Sequence, residues 1–224
     1  MHLFEGKKPN FIIILGLLVH GILAVIAMSF YPGGHNYDLN SSGYSFIQNY
    51  FSDMGHSLSL SGEDNSLSRN TYVVSLLFFM IAQFVFYFSE YVRHRCNPIG
   101  NRFGLAFGLL SIIGIILLIV FPNDTHRSLH VFGVYVWSLS FLVYVFLYIY
   151  LHSSSYKKST SVILISIPLY ILVSLQIFQN ELQWHQYMAI TQKIMVYYML
   201  SWFIVATLIR SKRPSINVLT KPSN

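Results

Sequence analysis

Five of the nine histidines, His35, His56, His126, His130 and His185, fall in or beside connections on one side of a series of apolar runs. Ser52, Asp53, Asp124 and Glu181 stand in the same segments. Imidazoles gathered with carboxylates are the usual makings of a metal centre or an acid/base site. His126 and His130 are four residues apart, so a helix starting near Asp124 puts both on one face, a spacing that suits metal ligands and also suits two histidines hydrogen-bonded at a wet interface. Asp124 follows Pro122 at the position of an N-cap and can accept backbone N–H bonds there or serve as a general base. Ser52 and His56 are likewise four apart, within Asn49-Tyr50-Phe51-Ser52-Asp53-Met54-Gly55-His56, while Ser52 and Asp53 are also good helix caps.

Lys193 belongs with this group. If the last apolar run began after it, only residues 194–209 would remain, short of the roughly 20 needed to cross a bilayer. The sequence therefore places this cation below the membrane surface, where it needs a partner or a polar cavity, or must snorkel to the headgroups. Asp53, Asp124 and Glu181 are its candidate partners.

Long apolar elements must position these residues. The 224-residue chain is 54% hydrophobic and 10% charged, against about 25% charged residues in soluble domains. The runs predict an all-α, polytopic membrane protein with six transmembrane helices in a single membrane domain, over about 11–30, 71–91, 103–121, 131–151, 161–178 and 187–209. The first run follows Lys7 and Lys8, but it exceeds the 7–15 residue apolar region of a signal peptide and is expected to be a retained span. Eleven of the fourteen lysines and arginines fall on one side of this arrangement; Arg69, Arg127 and Lys193 are the other three. Short basic loops stay cytoplasmic, so both termini are expected inside, in a multi-pass protein of the cell membrane. Short inner connections predict a bundle of sequential neighbours.

The long connection, 31–70, is expected to be an ordered outer loop. Tyr44, Phe46, Ile47, Tyr50, Phe51 and Met54 recur at helical spacing, as in an amphipathic segment lying at the interface. The serine-rich stretch after Ser57 reads as more mobile. His20, midway along the first run, fits either the same cavity or a hydrogen-bonded core. Gly104 and Gly108 form a small-xxx-small pair suited to close helix packing.

Composition also sets exclusions. The net charge of +6 comes from residues scattered in loops, which argues against a nucleic-acid partner. A single cysteine, Cys96, allows neither an intramolecular disulfide nor a thiolate metal cluster.

Tyr31-Pro32-Gly33-Gly34, Asn49 to Gly55, and Phe121-Pro122 with Asp124, His126 and His130 resemble the DUF-type prokaryotic multi-span membrane proteins distantly similar to the Frag/DRAM/Sfk group. That resemblance implies a six-helix fold and no particular activity. Its members tend to carry an acidic-arginine pair at the start of the last helix, where this chain has Gln192-Lys193. A second likeness, in residue types alone, is to the membrane hydrolases that include alkaline ceramidases and adiponectin receptors. It implies zinc held by His56, His126 and His130, with Ser52 and Asp124 or Asp53 catalytic.

The expected function is thus an integral membrane protein that binds membrane lipids or acts as an accessory, using an outward-facing His/Asp/Ser site with Lys193, His185 and Glu181 nearby. The alternative is a zinc-dependent hydrolase, in which metal-bound water attacks a lipid ester or amide.

Overall fold

A computed structural model of the chain describes residues 8–93, 97–152, 156–181 and 185–211. Cys96, Lys7, Arg95, Lys212, Arg213 and Lys221 lie outside these residues. The chain forms six helices: α1(Lys8–Phe30), α2(Ser66–Arg93), α3(Pro98–Val120), α4(Arg127–His152), α5(Tyr156–Glu181) and α6(His185–Ser211). Between α1 and α2 come a two-stranded hairpin, β1(Gly33–His35) and β2(Asp38–Ser42), and a short 3-10 turn, η1(Phe51–Gly55). Each helix packs on its sequence neighbours and α6 returns to α1, closing the ring.

Five helices, α1 to α4 and α6, are long and apolar enough to cross a membrane. The sides facing outward are themselves apolar. On α1, Phe11 is 67% exposed, and Leu15, Leu18, Ile22 and Val25 continue its stripe, while Asn10 and His20 of the same helix are buried. Water would penalise such a surface, and hydrocarbon accepts it. Within hydrocarbon the backbone must satisfy its own hydrogen bonds, which is why these runs are helical.

Pro168 lies inside α5 and withholds one intrahelical donor. In the preceding turn, the Ile165 carbonyl receives the Tyr198 hydroxyl at 3.0 Å. Polar residues of α5 serve the interior: Gln176 lines a cavity, and Gln179 is buried with its Oε1 accepting from the Thr191 hydroxyl at 2.6 Å.

Local chemistry sets the helix ends. Asn97 caps α3, accepting the Gly100 N–H at 3.0 Å, with Pro98 in the first turn. Pro122 follows the end of α3, and its carbonyl accepts the His126 N–H at 2.9 Å in the turn before α4. Inside the bundle, rings from α2, α4 and α6 form the core: Phe203 lies 5.1 Å from Phe86 and 5.2 Å from Phe141. Several polar residues of α2 find partners inside the bundle. Ser68 donates to the Ala27 carbonyl, the Ser75 hydroxyl meets His20 Nδ1 at 2.7 Å, and Tyr87 bonds Gln83 and Ser111. His20 is therefore a hydrogen-bonded core residue that also touches a small cavity.

Glycines fix the closest approaches. Gly108 faces the Tyr87 ring, an intrachain contact, and Gly114 lies against the Trp137 backbone on α4. A methyl group at Gly114 would meet that backbone, which cannot rotate away. Gly114→Ala is expected to destabilise the protein by about 1–3 kcal/mol through overpacking. Gly21, which has nothing within 4 Å of an added Cβ, provides the control: Gly21→Ala should be neutral or slightly stabilising, because alanine is the better helix former. Thermal unfolding of the two variants in one detergent checks both.

Candidate functional site

The site lies at the end of the bundle where α1, α3 and α5 finish and α2, α4 and α6 begin. Residues 31–65 fold across that end, held by side-chain amides rather than by regular structure. Asn49, 0% exposed, is the hub. Its Oδ1 accepts the Ser45 N–H at 2.8 Å, and its Nδ2 donates to the Gly34 carbonyl at 2.8 Å and to Asp53 Oδ2 at 3.1 Å. Gly34 has φ +84, and any side chain there would run into the Leu60–Ser61 backbone, so only glycine lets the hairpin lie this close. A second buried amide, Asn65, donates to the Met54 and His56 carbonyls at 3.1 and 2.9 Å. The tail of the loop, which its serines suggested was mobile, forms a turn closed by a bridge between Leu58 and Asp64, and α2 starts at Ser66.

The expected amphipathic helix around Tyr44 to Met54 is instead a turn followed by η1. Local side-chain bonds compete with helical ones here: Asp53 Oδ2 takes the Tyr50 N–H at 2.8 Å, and Asn49 takes that of Ser45. The aromatic face is nevertheless used, with Phe51 and Met54 buried and the Phe51 ring stacked on Tyr72.

Helix α6 anchors this segment. Lys193 is 0% exposed, and its ammonium donates to the Asn49 and Ala189 carbonyls. It also lies 5.3 Å from the ring centres of both Tyr44 and Phe46, within cation–π range. The partners foreseen for Lys193 were carboxylates; its close contacts are carbonyl oxygens and rings. Its neighbour Gln192 accepts the Phe51 N–H through Oε1 at 2.9 Å. Asp124, expected to cap α4, reaches across instead, its Oδ2 accepting the Ser57 N–H at 2.7 Å.

Beneath the segment is a cavity of about 670 Å³, within the roughly 300–1,000 Å³ of small-molecule sites. Ser52, Asp53, His56, Arg127, His130 and Gln192 supply its polar lining, and Val131, Val134, Val173, Met188 and Met195 its apolar wall. A narrower cavity of about 100 Å³ adjoins it, sharing Ser52, His130, Val134, Gln176, Gln192 and Met195. Its other walls include Leu76, Phe79, Ile115, Leu118 and Trp137, so it forms an apolar throat leading towards the bundle centre.

Of the residues expected to act together, Ser52, Asp53, His56 and His130 line the larger cavity. No hydrogen bond joins Ser52 to His56 among the described residues. His56 Nε2 is 3.9 Å from Asp53 Oδ1 and makes no hydrogen bond. His130 Nδ1 is bound to the Phe121 carbonyl at 3.0 Å; a carbonyl only accepts, so Nδ1 carries the proton and Nε2 is left bare. His126 lies apart on the exposed turn, its Nδ1 3.0 Å from the Thr125 hydroxyl. Among the described residues no three His, Cys, Asp or Glu side chains are grouped to hold a metal ion. The side chains of Glu181 and His185 lie outside the described residues. Asn49, Asn65, Gln176 and Gln192 were not foreseen as site residues. Their only sequence signal is an amide among apolar neighbours, which many surface residues share.

Burial pushes the Asp53 carboxyl above its ordinary range, opposed by the Asn49 bond, by His56, by the Tyr50 N–H and by Lys193. A carboxyl raised in the folded state holds its proton more tightly than in the unfolded chain, so stability falls as pH rises from the unfolded pKa, 3.8, through the folded one. Asp53→Asn removes that term. Its melting temperature relative to the parent should therefore climb as pH is raised from about 4 to neutrality; a difference constant with pH would show that Asp53 titrates normally. Comparison of the chain with protein-family models, curated proteins and solved structures finds no match, so the functional reading rests on its own residues.

Proposed function

We propose that the chain crosses the membrane six times with both termini in the cytoplasm, and that the cavity sits at the outer face and binds a membrane lipid. The eleven-to-three distribution of basic residues supports the orientation, and α5 counts as the sixth span because its polar residues face inward. Kinship with the DUF-type multi-span proteins belongs to the same proposal.

One observation carries the lipid reading: a cavity with a cluster of polar side chains on a mostly apolar wall adjoins a smaller apolar throat through six shared wall residues. An amphipathic molecule has that distribution of chemistry. Its polar end would replace water among Ser52, Asp53, His56, His130 and Gln192, and its chain would lie against Leu76, Phe79, Ile115 and Leu118. A soluble polar substrate would leave the throat without a use. A wholly apolar one would strand buried polar groups at a cost of about 1–3 kcal/mol each.

Lipid extracted from exhaustively detergent-washed protein tests this. The intact chain is expected to retain about one amphipathic molecule per polypeptide. Val134→Trp, which fills the junction of the two cavities, is expected to lose it while its melting temperature stays close to that of the parent without ligand. Equal retention by both proteins would place the lipid elsewhere and refute the reading. A retained molecule recovered hydrolysed by the wild type and intact from His56→Gln would add catalysis to binding. For orientation, a reporter fused after residue 224 should be active only in the cytoplasm.

A further inference from the structure

Three donor groups along the two cavities have no partner among the described residues. Gln192 is bound through Oε1 to a backbone N–H, which can only donate, so its Nε2 group is the end left over, with no partner among the described residues. Arg127, on the rim, carries a guanidinium with no hydrogen bond or ion pair among the described residues. In the throat, Trp137 Nε1 is buried and unpartnered. These three groups donate and cannot accept. Asp53, which lines the outer cavity only, has Oδ2 taken by two N–H bonds, and its Oδ1 lies 3.9 Å from His56 Nε2.

The donors stand at different depths. Arg127 is at the mouth, Gln192 lines both cavities, and Trp137 lines only the inner one. A ligand that satisfies them carries acceptor oxygens at its head and one more where its chain begins. The throat that adjoins the outer cavity gives one acyl chain a place.

Resting on the lipid-binding reading and extending it to the ligand's class, we propose that the site takes a single-chain lipid with an oxyanion headgroup, whose oxygens accept from Arg127 and Gln192 and whose ester carbonyl accepts from Trp137 Nε1. A lysophosphatidate has this pattern. A fatty acid shares the oxyanion without the ester, and inorganic phosphate shares it without the chain.

Native mass spectrometry of the full chain released from detergent measures the competition directly. The probes are 1-oleoyl lysophosphatidate, its ether analogue, oleate, oleylamine and inorganic phosphate. Lysophosphatidate is expected to bind at least tenfold more tightly than oleylamine, and also more tightly than its ether analogue. Arg127→Gln should weaken lysophosphatidate about tenfold without weakening oleylamine, which also shows that the cavity is intact. Trp137→Phe should remove the ester's advantage over the ether. Oleate binding as tightly as lysophosphatidate would retain the oxyanion and overturn the ester contact. Oleylamine binding as tightly as lysophosphatidate would overturn this inference and leave the lipid reading standing. Phosphate binding as tightly as lysophosphatidate, or no binding by any probe, would overturn both.

Discussion

The architecture of the site depends on one buried cation. Lys193 is surrounded by protein at the start of a membrane-spanning helix, and an ammonium in that position is costly unless oxygen atoms replace its water. The Asn49 and Ala189 carbonyls and the faces of Tyr44 and Phe46 do so. The consequence is mechanical: the segment that supplies the oxygens must stay on the bundle, because lifting it would strand the charge. The same turn of α6 adds a second tie from Gln192 to the Phe51 N–H. Asp124 adds a third from the start of α4 to Ser57.

From that docking the remaining features follow. A segment of hairpin and turns, held over the helix ends, leaves a cavity beneath it. Asn49 fixes the backbone around Asp53 and so brings the carboxyl to the cavity wall, where burial weakens its acidity. Below, the aromatic rings of α2, α4 and α6 pack against one another in the bundle core.

How far the sequence announced this differs from element to element. The apolar runs of α1 to α4 and α6 are legible because hydrocarbon imposes both length and composition on any helix it surrounds. α5 is read as a span from its apolar run, although Pro168 and the inward Gln176 and Gln179 interrupt that run, since residues that serve a cavity look like residues that serve water. In the connecting segment, aromatic spacing predicts burial correctly for Phe51 and Met54 but not for Phe46 and Ile47, which stay exposed, and it predicts helix wrongly. Periodicity reports which side chains seek a dry surface, whereas backbone shape there is decided by Asn49 and Asp53 capturing nearby N–H groups. Lys193 was legible as a charge needing a partner. The partner was not, because a backbone carbonyl leaves no mark in the residue types.

Among the residues singled out for chemistry, Ser52, Asp53, His56 and His130 share the cavity, whereas His126 of the i, i+4 pair does not. The four-residue spacing would hold both histidines on one face only within a helix. Here α4 begins at Arg127, so His126 belongs to the preceding turn. The most direct measurement of the central claim is photo-crosslinking of a single-chain lipid bearing a diazirine along its acyl chain, in native membranes, with adducts mapped by mass spectrometry. The account predicts adducts on throat residues such as Val134, Trp137 and Leu118. Adducts confined to the outward-facing positions Ile22, Phe146 and Ile171 would contradict it.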